Sequence, residues 1–335
     1  MRHLLIILIL LLIVGGCQNQ DDTSRAHTEV RVGITKSFLG EGATFVAQEQ
    51  GYFKDYGLNV QFEENTSGSK SIRELFQGTV DIAHVAETPV VYSLVDSSYY
   101  KGKQVPSFQI FADMIYADEI QHIVGRKEAD IESPEDIAGK KVGVYQDTQL
   151  DYFLDSFLLE YQVPKRSLTL LDITPVEQLT AITNGEIDVA VTWEPYATYI
   201  KQKLEAKAVF LDTKLTYSTL WLAVTLDSYG NKNSEVLINY LKAIRKAQTY
   251  IEENPRSAQE LLAKRTGVPI EAVRATWENL DFELSLSERM ITLLDDQSRW
   301  MARNNLADTS GFDFRSLINF EPMRTVYPEG VTVIQ

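Results

Sequence analysis

The sequence predicts an α/β protein of two lobes, each a sheet flanked by helices, with a ligand cleft between them. Three observations predict it. From residue 29 onward, apolar stretches alternate between the strand period and the helix period through the first two thirds of the chain. The hand-over from helix to strand is written twice in nearly the same letters, as Gly78-Thr79-Val80-Asp81-Ile82-Ala83 and as Gly185-Glu186-Ile187-Asp188-Val189-Ala190. That echo suits two units of similar βα design. The 335 residues are also about two domains' worth of chain, at roughly 100–200 residues per domain.

The elements follow in order. Val30-Arg31-Val32-Gly33-Ile34 alternates as a strand does. Residues 42–50 form a helix that Gly51 stops, and residues 58–62 a second strand. Ser67-Gly68-Ser69 opens a helix with Ile72, Leu75 and Phe76 on its apolar face and Gly78 as its stop. Residues 80–85 are a short buried strand. Thr88-Pro89 opens another helix, with proline at its first position. Residues 108–115 are again strand-like. Past Ile120 the style repeats. A short capped helix at Ser133-Pro134-Glu135-Asp136 precedes a strand at 141–145. A helix at 148–161 turns Leu150, Phe153, Leu154, Phe157 and Leu158 inward. After a strand at 168–173, Thr174-Pro175-Val176-Glu177 is a capping box whose helix ends at Gly185, and residues 189–191 are a strand. The last third is helical, at 234–253, 257–265, 270–280 and 286–304. No Gly/Ser/Pro-rich linker parts the halves. The lobes are therefore joined by extended crossing strands, near 115–124 and 217–225, rather than by a floppy hinge.

Ahead of this body, Met1-Arg2-His3 is followed by an unbroken apolar run to Val14, then Gly15-Gly16-Cys17. A basic start, a short apolar core and small residues before a cleavage site describe an export signal. The run is shorter than the ~20 residues that span a bilayer. Val14-Gly15-Gly16-Cys17 resembles the lipobox of bacterial lipoproteins, which implies lipidation of Cys17. Residues 18–28 are polar and aperiodic, a tether. Acyl chains contribute roughly 0.8 kcal/mol per buried CH₂, so two or three hold a protein firmly on a membrane. With Cys17 acylated, no thiol remains.

Composition excludes several functions. Lys+Arg 32 against Asp+Glu 47, a net charge of −15, cannot neutralise a phosphate backbone, so no nucleic-acid partner is expected. A single Cys forbids an intramolecular disulfide and any multi-Cys metal site. No GxGxxG, Walker A or Gly-x-Ser-x-Gly sequence occurs, so no cofactor is implied. His84 and His122 are the histidines of the body, and His84 reads as a buried, hydrogen-bonded core residue. Nucleophilic and zinc chemistry are poorly supplied. What remains is a set of strand-to-helix junctions rich in small polar residues: Ser37-Phe38-Leu39-Gly40, Thr66-Ser67-Gly68-Ser69, Ala86-Glu87-Thr88, Gln146-Asp147-Thr148 and Trp193-Glu194-Pro195. Each alone reads as ordinary capping. Together they suit a cleft at the carboxyl ends of strands, with helix starts offering N–H groups to an anion.

Residues 30–210 resemble the solute-binding proteins of ABC importers, in the nitrate/sulfonate/taurine branch that also holds binders of thiamine-precursor pyrimidines. The resemblance rests on Gln50-Gly51-Tyr52-Phe53 with Gly57-Leu58-Asn59-Val60, on the two Gly-x-(Val/Ile)-Asp repeats, on residues 137–144, and on Trp193-Glu194-Pro195-Tyr196. It implies a type II-like periplasmic-binding-protein fold that closes on a small solute and docks on a permease driven by an ATPase. It implies residues 1–16 as signal peptide and 17–28 as tether. Lobe 1 then comprises 29–118 and 222–335, and lobe 2, inserted into it, 119–221. The expected product is a monomer, lipid-anchored through Cys17 on the extracytoplasmic face, without enzymatic activity. Carried over residue by residue, the pocket takes Ser37, Phe38, Ser67, Gly68, Ser69, Glu87 and Thr88 from the first lobe. His122 sits on the crossing strand, and Asp147, Thr148, Trp193 and Glu194 come from the second lobe. Trp193 suits either the pocket or the core beneath it. Tyr217 and Trp221 read as core.

Glu87, Asp147 and Glu194 are acidic. A purely anionic solute facing them unpaired would lose on the order of several kcal/mol in a low-dielectric cleft. The sequence therefore favours an amine-bearing solute. One form is a zwitterion such as taurine with its anion at the 67–69 helix start. The other is an aminopyrimidine stacked on Phe38, Tyr145 or Trp193. An extracytoplasmic enzyme and a sensor lipoprotein are the rival classes.

Overall fold

The computed structural model describes residues 27–95, 104–211, 217–304 and 312–334. The export signal, Cys17 and most of the tether lie outside the described residues. Among the described residues, eleven strands form two sheets. They are β1 (Thr28–Thr35), β2 (Leu58–Asn65), β3 (Ile82–Val85), β4 (Phe108–Asp118), β5 (Gln121–Arg126), β6 (Lys141–Val144), β7 (Thr169–Asp172), β8 (Val189–Trp193), β9 (Ala208–Leu211), β10 (Ser218–Leu226) and β11 (Leu280–Asp281). The first sheet runs β11-β4-β10-β3-β1-β2 and the second β7-β6-β8-β5-β9. In each, a parallel trio (β2-β1-β3 and β7-β6-β8) meets an antiparallel crossing strand, β10 or β5. The trios come from βαβ units, whose buried strands read as apolar runs.

The written echo is a structural one. Gly78 and Gly185 both end their helices in the left-handed region, at φ 74° and 78°. Asp81 and Asp188 then do the same work. Asp81 accepts from the Arg31 amide at 2.9 Å and its guanidinium at 2.7 Å. Asp188 accepts from the Lys141 amide at 3.0 Å and the Arg126 guanidinium at 3.0 Å. Each carboxylate pins a helix-to-strand turn to the neighbouring strand.

Two expectations are corrected. The helix expected to start at Pro89 begins two residues earlier, at Glu87 (Glu87–Val95), and the Glu87 side chain is taken up elsewhere. Residues 218–221, assigned by sequence to the second lobe, are the start of β10, where 218–220 pair with β4, so the first sheet claims them. The segment Ser218-Thr219-Leu220-Trp221 carries no mark of which sheet it joins.

The C-terminal helices close the first lobe. Ser234–Glu253 buries Leu237, Leu241, Ile244 and Ile251 along one face, each fully buried aliphatic side chain contributing roughly 1.5–3 kcal/mol. Glu288–Arg303 reaches the second lobe, where the Trp300 indole donates to Asp155 at 3.1 Å and packs edge-on to Tyr152. No helix among the described residues is long and apolar enough to cross a membrane.

Candidate functional site

Between the lobes lies a narrow, nearly closed pocket with only about 10 Å³ of free volume, lined by Thr35, Phe38, Ser67, Gly68, Ser69, Ala86, Pro89, Thr148, Gln149, Trp193 and Trp221. Its walls are the ends of β1 and β8, the middle of β10, and the starts of two helices, Gly68–Gln77 from the first lobe and Gln149–Glu160 from the second. Both helices aim the positive end of their dipole at the same space. Ser67, before the first helix, has extended backbone and makes no capping bond with its side chain. Thr148 does cap the second helix, accepting from the Leu150 amide at 3.2 Å.

Buried donors converge here. Thr35 Oγ1, Ser67 Oγ and Trp221 Nε1 are all buried without a hydrogen-bond partner in the protein. An unmade buried hydrogen bond costs roughly 1–3 kcal/mol. The three residues that carry these groups line one pocket. The Trp221 indole can only donate, and the hydroxyls can. The lining contains no carboxylate. Thr35 is held from behind by a buried chain. Its amide donates to Glu41 Oε1 at 3.0 Å, Glu41 Oε2 meets His84 Nδ1 at 2.7 Å, and the other ring nitrogen meets the Tyr240 hydroxyl at 2.9 Å. His84 is thus a fully partnered core residue.

The structure brings together Phe38, Ser67, Gly68, Ser69, Thr148 and Trp193 of the residues singled out by sequence. The others are turned to protein partners. Ser37, at φ 62°, donates to the Thr266 carbonyl at 3.0 Å and ties its loop to helix Pro255–Thr266. Thr88 is buried beside the pocket, outside its lining. His122 Nε2 lies 3.3 Å from Glu194 Oε1, and Glu194 Oε2 accepts from the Thr198 amide at 3.2 Å. Glu194 therefore serves the start of helix Tyr196–Leu204. Glu87 is fully buried and accepts from the Tyr217 hydroxyl at 2.5 Å, Gln297 Nε2 at 3.0 Å and the Leu220 amide at 3.1 Å. Burial pushes its carboxyl up, against those hydrogen bonds. Asp147 pairs with Arg73 at 2.8 Å, and its backbone carbonyl accepts from Ser69 Oγ. Each of these three acids is thus taken up by side chains or amides of the protein, and none is in the pocket lining.

The Asp147 contacts cross the cleft. Arg73 and Ser69 belong to the first lobe, Asp147 to the second, and Thr66 Oγ1 reaches the Tyr145 hydroxyl at 3.4 Å. Asp151, pushed up to about 7 by burial, accepts from the Asp147 amide at 2.7 Å and steadies the loop at φ 57°. This is a latch across the closed cleft.

Sequence reasoning did not place Thr35, Pro89, Gln149 and Trp221 in the pocket, and it reached Ala86 only as part of the junction Ala86-Glu87-Thr88. Trp221 packs on Phe38 with ring centroids 4.5 Å apart, so it is buried as expected, yet it lines the pocket and its indole N–H has no partner in the protein. Nothing in the apolar run from Leu220 to Val224 marks it for the pocket.

A family model described as NMT1/THI5 like matches residues 42–258, well over half of the chain. The chain belongs to the NMT1/THI5-like family. The taurine-binding periplasmic protein of Escherichia coli (strain K12) is 24% identical over 253 residues, covering 72% of this chain and 74% of that protein. The formylaminopyrimidine-binding protein of Halalkalibacterium halodurans is 22% identical over 267 residues, covering 76% of each. Among solved structures, the alkanesulfonate-binding protein SsuA from Xanthomonas axonopodis pv. citri, bound to MOPS, matches with a TM-score of 0.72 at 13% identity, covering 88% of this chain and 98% of that one. The two-lobed periplasmic-binding fold is thereby shown.

Proposed function

We propose that this NMT1/THI5-like protein is the extracytoplasmic solute-binding component of an ABC importer, that it captures a small organic sulfonate between its lobes, and that it delivers it to a permease driven by an ATPase. It works as a monomer, lipid-anchored through Cys17, and performs no covalent chemistry. The observation that carries the solute class is the set of unpartnered buried donors, Thr35, Ser67 and Trp221, on a pocket that two helix starts face and no carboxylate lines. A sulfonate offers three acceptor oxygens and a charge that helix starts favour. The names of the taurine- and alkanesulfonate-binding relatives support the same class. With Glu87, Asp147 and Glu194 committed to protein partners, the pocket makes no demand for an amine.

Calorimetric titration with ethanesulfonate, taurine, nitrate and a formylaminopyrimidine tests this. Ethanesulfonate and taurine should bind within roughly tenfold of each other, a difference of about 1.4 kcal/mol, and well ahead of the other two. Binding of the pyrimidine without the sulfonates would overturn the reading in favour of a thiamine-precursor binder.

Closure should depend on the latch. Arg73 and Asp147 are partly exposed, so their pair is worth at most about 1 kcal/mol. Arg73→Ala is expected to weaken solute binding roughly threefold by lowering the closed fraction, with little change in thermal midpoint. Small-angle scattering should show a larger radius of gyration for the unliganded variant that returns to the parent value at saturation. An unchanged affinity and radius would remove the latch from the mechanism.

A further inference from the structure

Trp221 owes its aim to a defect in the first sheet. Between β10 and β4 the register slips: Leu220 faces Tyr116, but Leu222 faces Asp113, so β4 carries one residue more than its partner opposite Trp221. A bulge leaves ladder groups unpaired and re-aims a side chain. Here buried side chains fill the gap. Asp113 Oδ1 accepts from the Trp221 amide at 3.0 Å, and the same carboxyl accepts from the Ile115 amide. Gln248, on helix Ser234–Glu253, donates to the Met114 carbonyl at 3.1 Å and accepts from the Leu284 amide at 3.2 Å. Asp113 is itself fixed by a reciprocal backbone pair with Ser285, both bonds 2.8 Å. One residue earlier on β10, Glu87 holds the Leu220 amide from the other side. The backbone of β10 is therefore clamped at 220 and 221, and the indole N–H of this pocket-lining residue has no partner in the protein.

We propose that Asp113 is the positioning residue that aims the Trp221 indole N–H at the solute head group, and so a determinant of which head group the pocket accepts. The proposal rests on the reading of this pocket as the solute site. Asp113 never touches solute; it acts by replacing the ladder bonds that the bulge removes from Trp221 and Ile115. Asparagine retains an acceptor there and alanine does not.

The test is a double-mutant cycle with ethanesulfonate as probe, read by calorimetry, with thermal midpoint and tryptophan emission recorded for each variant. D113N should bind within about threefold of the parent, because its amide oxygen still accepts from Trp221. D113A should bind roughly tenfold more weakly, with emission shifted as Trp221 relaxes. In a W221F background, which lacks the donor, D113A should cost under about threefold, since contacting residues acting through one group are non-additive. Equal losses from D113A in both backgrounds would overturn the proposal. So would a lower midpoint with an unchanged dissociation constant in both D113N and D113A. A W221F protein that binds ethanesulfonate like the parent would instead overturn the pocket reading, and that outcome is distinct from either of these.

Discussion

Replacing Gly68 with alanine is expected to lower the thermal midpoint and to weaken solute binding on the order of ten- to a hundredfold, the loss of one hydrogen bond to a charged head group. A Cβ at this position would sit 2.7 Å from Val85 Cα and 3.1 Å from the His84 carbonyl oxygen. These are backbone atoms of β3, the third member of the parallel trio, and cannot swing aside as a side chain could. Helix Gly68–Gln77 must instead lift from the sheet. Inserting one methyl into a close-packed interior costs typically about 1–3 kcal/mol. The lift also carries away Ser67 and Ser69, which flank Gly68 on the pocket, and with Ser69 its bond to the Asp147 carbonyl across the cleft. Stability and affinity should therefore fall together. Thermal unfolding and titration of G68A beside K70A, an exposed position on the same helix, check it. Parent-like values for G68A would show that the helix start is not fixed against β3.

The fold was legible where the signal is local. Glycine caps at Gly78 and Gly185 and capping boxes at Ser133 and Thr174 depend on residues three or four apart, and these set most element ends. Half of the site was legible for the same reason. Ser67, Gly68, Ser69 and Thr148 stand at helix starts, and Trp193 ends a strand, so backbone geometry alone brings them to the cleft. The direction of a long side chain is another matter. Glu87 finds Tyr217 and Gln297 from residues 130 and 210 positions away, and Asp147 finds Arg73 from 74 positions away. No spacing rule carries that information. The acids stand at the expected junctions, but their side chains turn to partners that only the folded chain supplies. Trp221 escaped for a related reason, because a one-residue slip between β10 and β4 leaves no trace in an apolar run.

The protein should be more stable in mild acid than in mild base, by on the order of a few kcal/mol, with the thermal midpoint falling by roughly 5 °C or more between pH 5.5 and 8.5. Burial raises three carboxyls: Glu87, Asp113 to about 8, and Asp151 to about 7. A raised folded-state value means that the native protein holds protons which the unfolded chain has released. The stability from these groups is full below the ordinary carboxylate range, near 4, and is lost as pH rises through about 7 and 8. Arg289 faces Asp113 and Lys165 faces Asp151, and both favour ionisation, yet desolvation outweighs them. The opposite sign belongs to Glu128, Asp136 and Glu177. Hydrogen bonds lower these exposed carboxylates, and their contribution fades only on stronger acidification. A stability maximum at about pH 4 to 5 follows from these groups. D113N, neutral at every pH, should flatten the alkaline limb while G68A should not. The same ionisations also reach the pocket: Asp113 and Glu87 clamp β10 beside Trp221, and Asp151 holds the Asp147 loop on the latch. Solute affinity should therefore weaken over the same pH interval as the midpoint falls. A midpoint that holds or rises from pH 5.5 to 8.5 would mean that these buried acids are ionised in the folded protein, and the clamp would then have to work as a pair of buried charges.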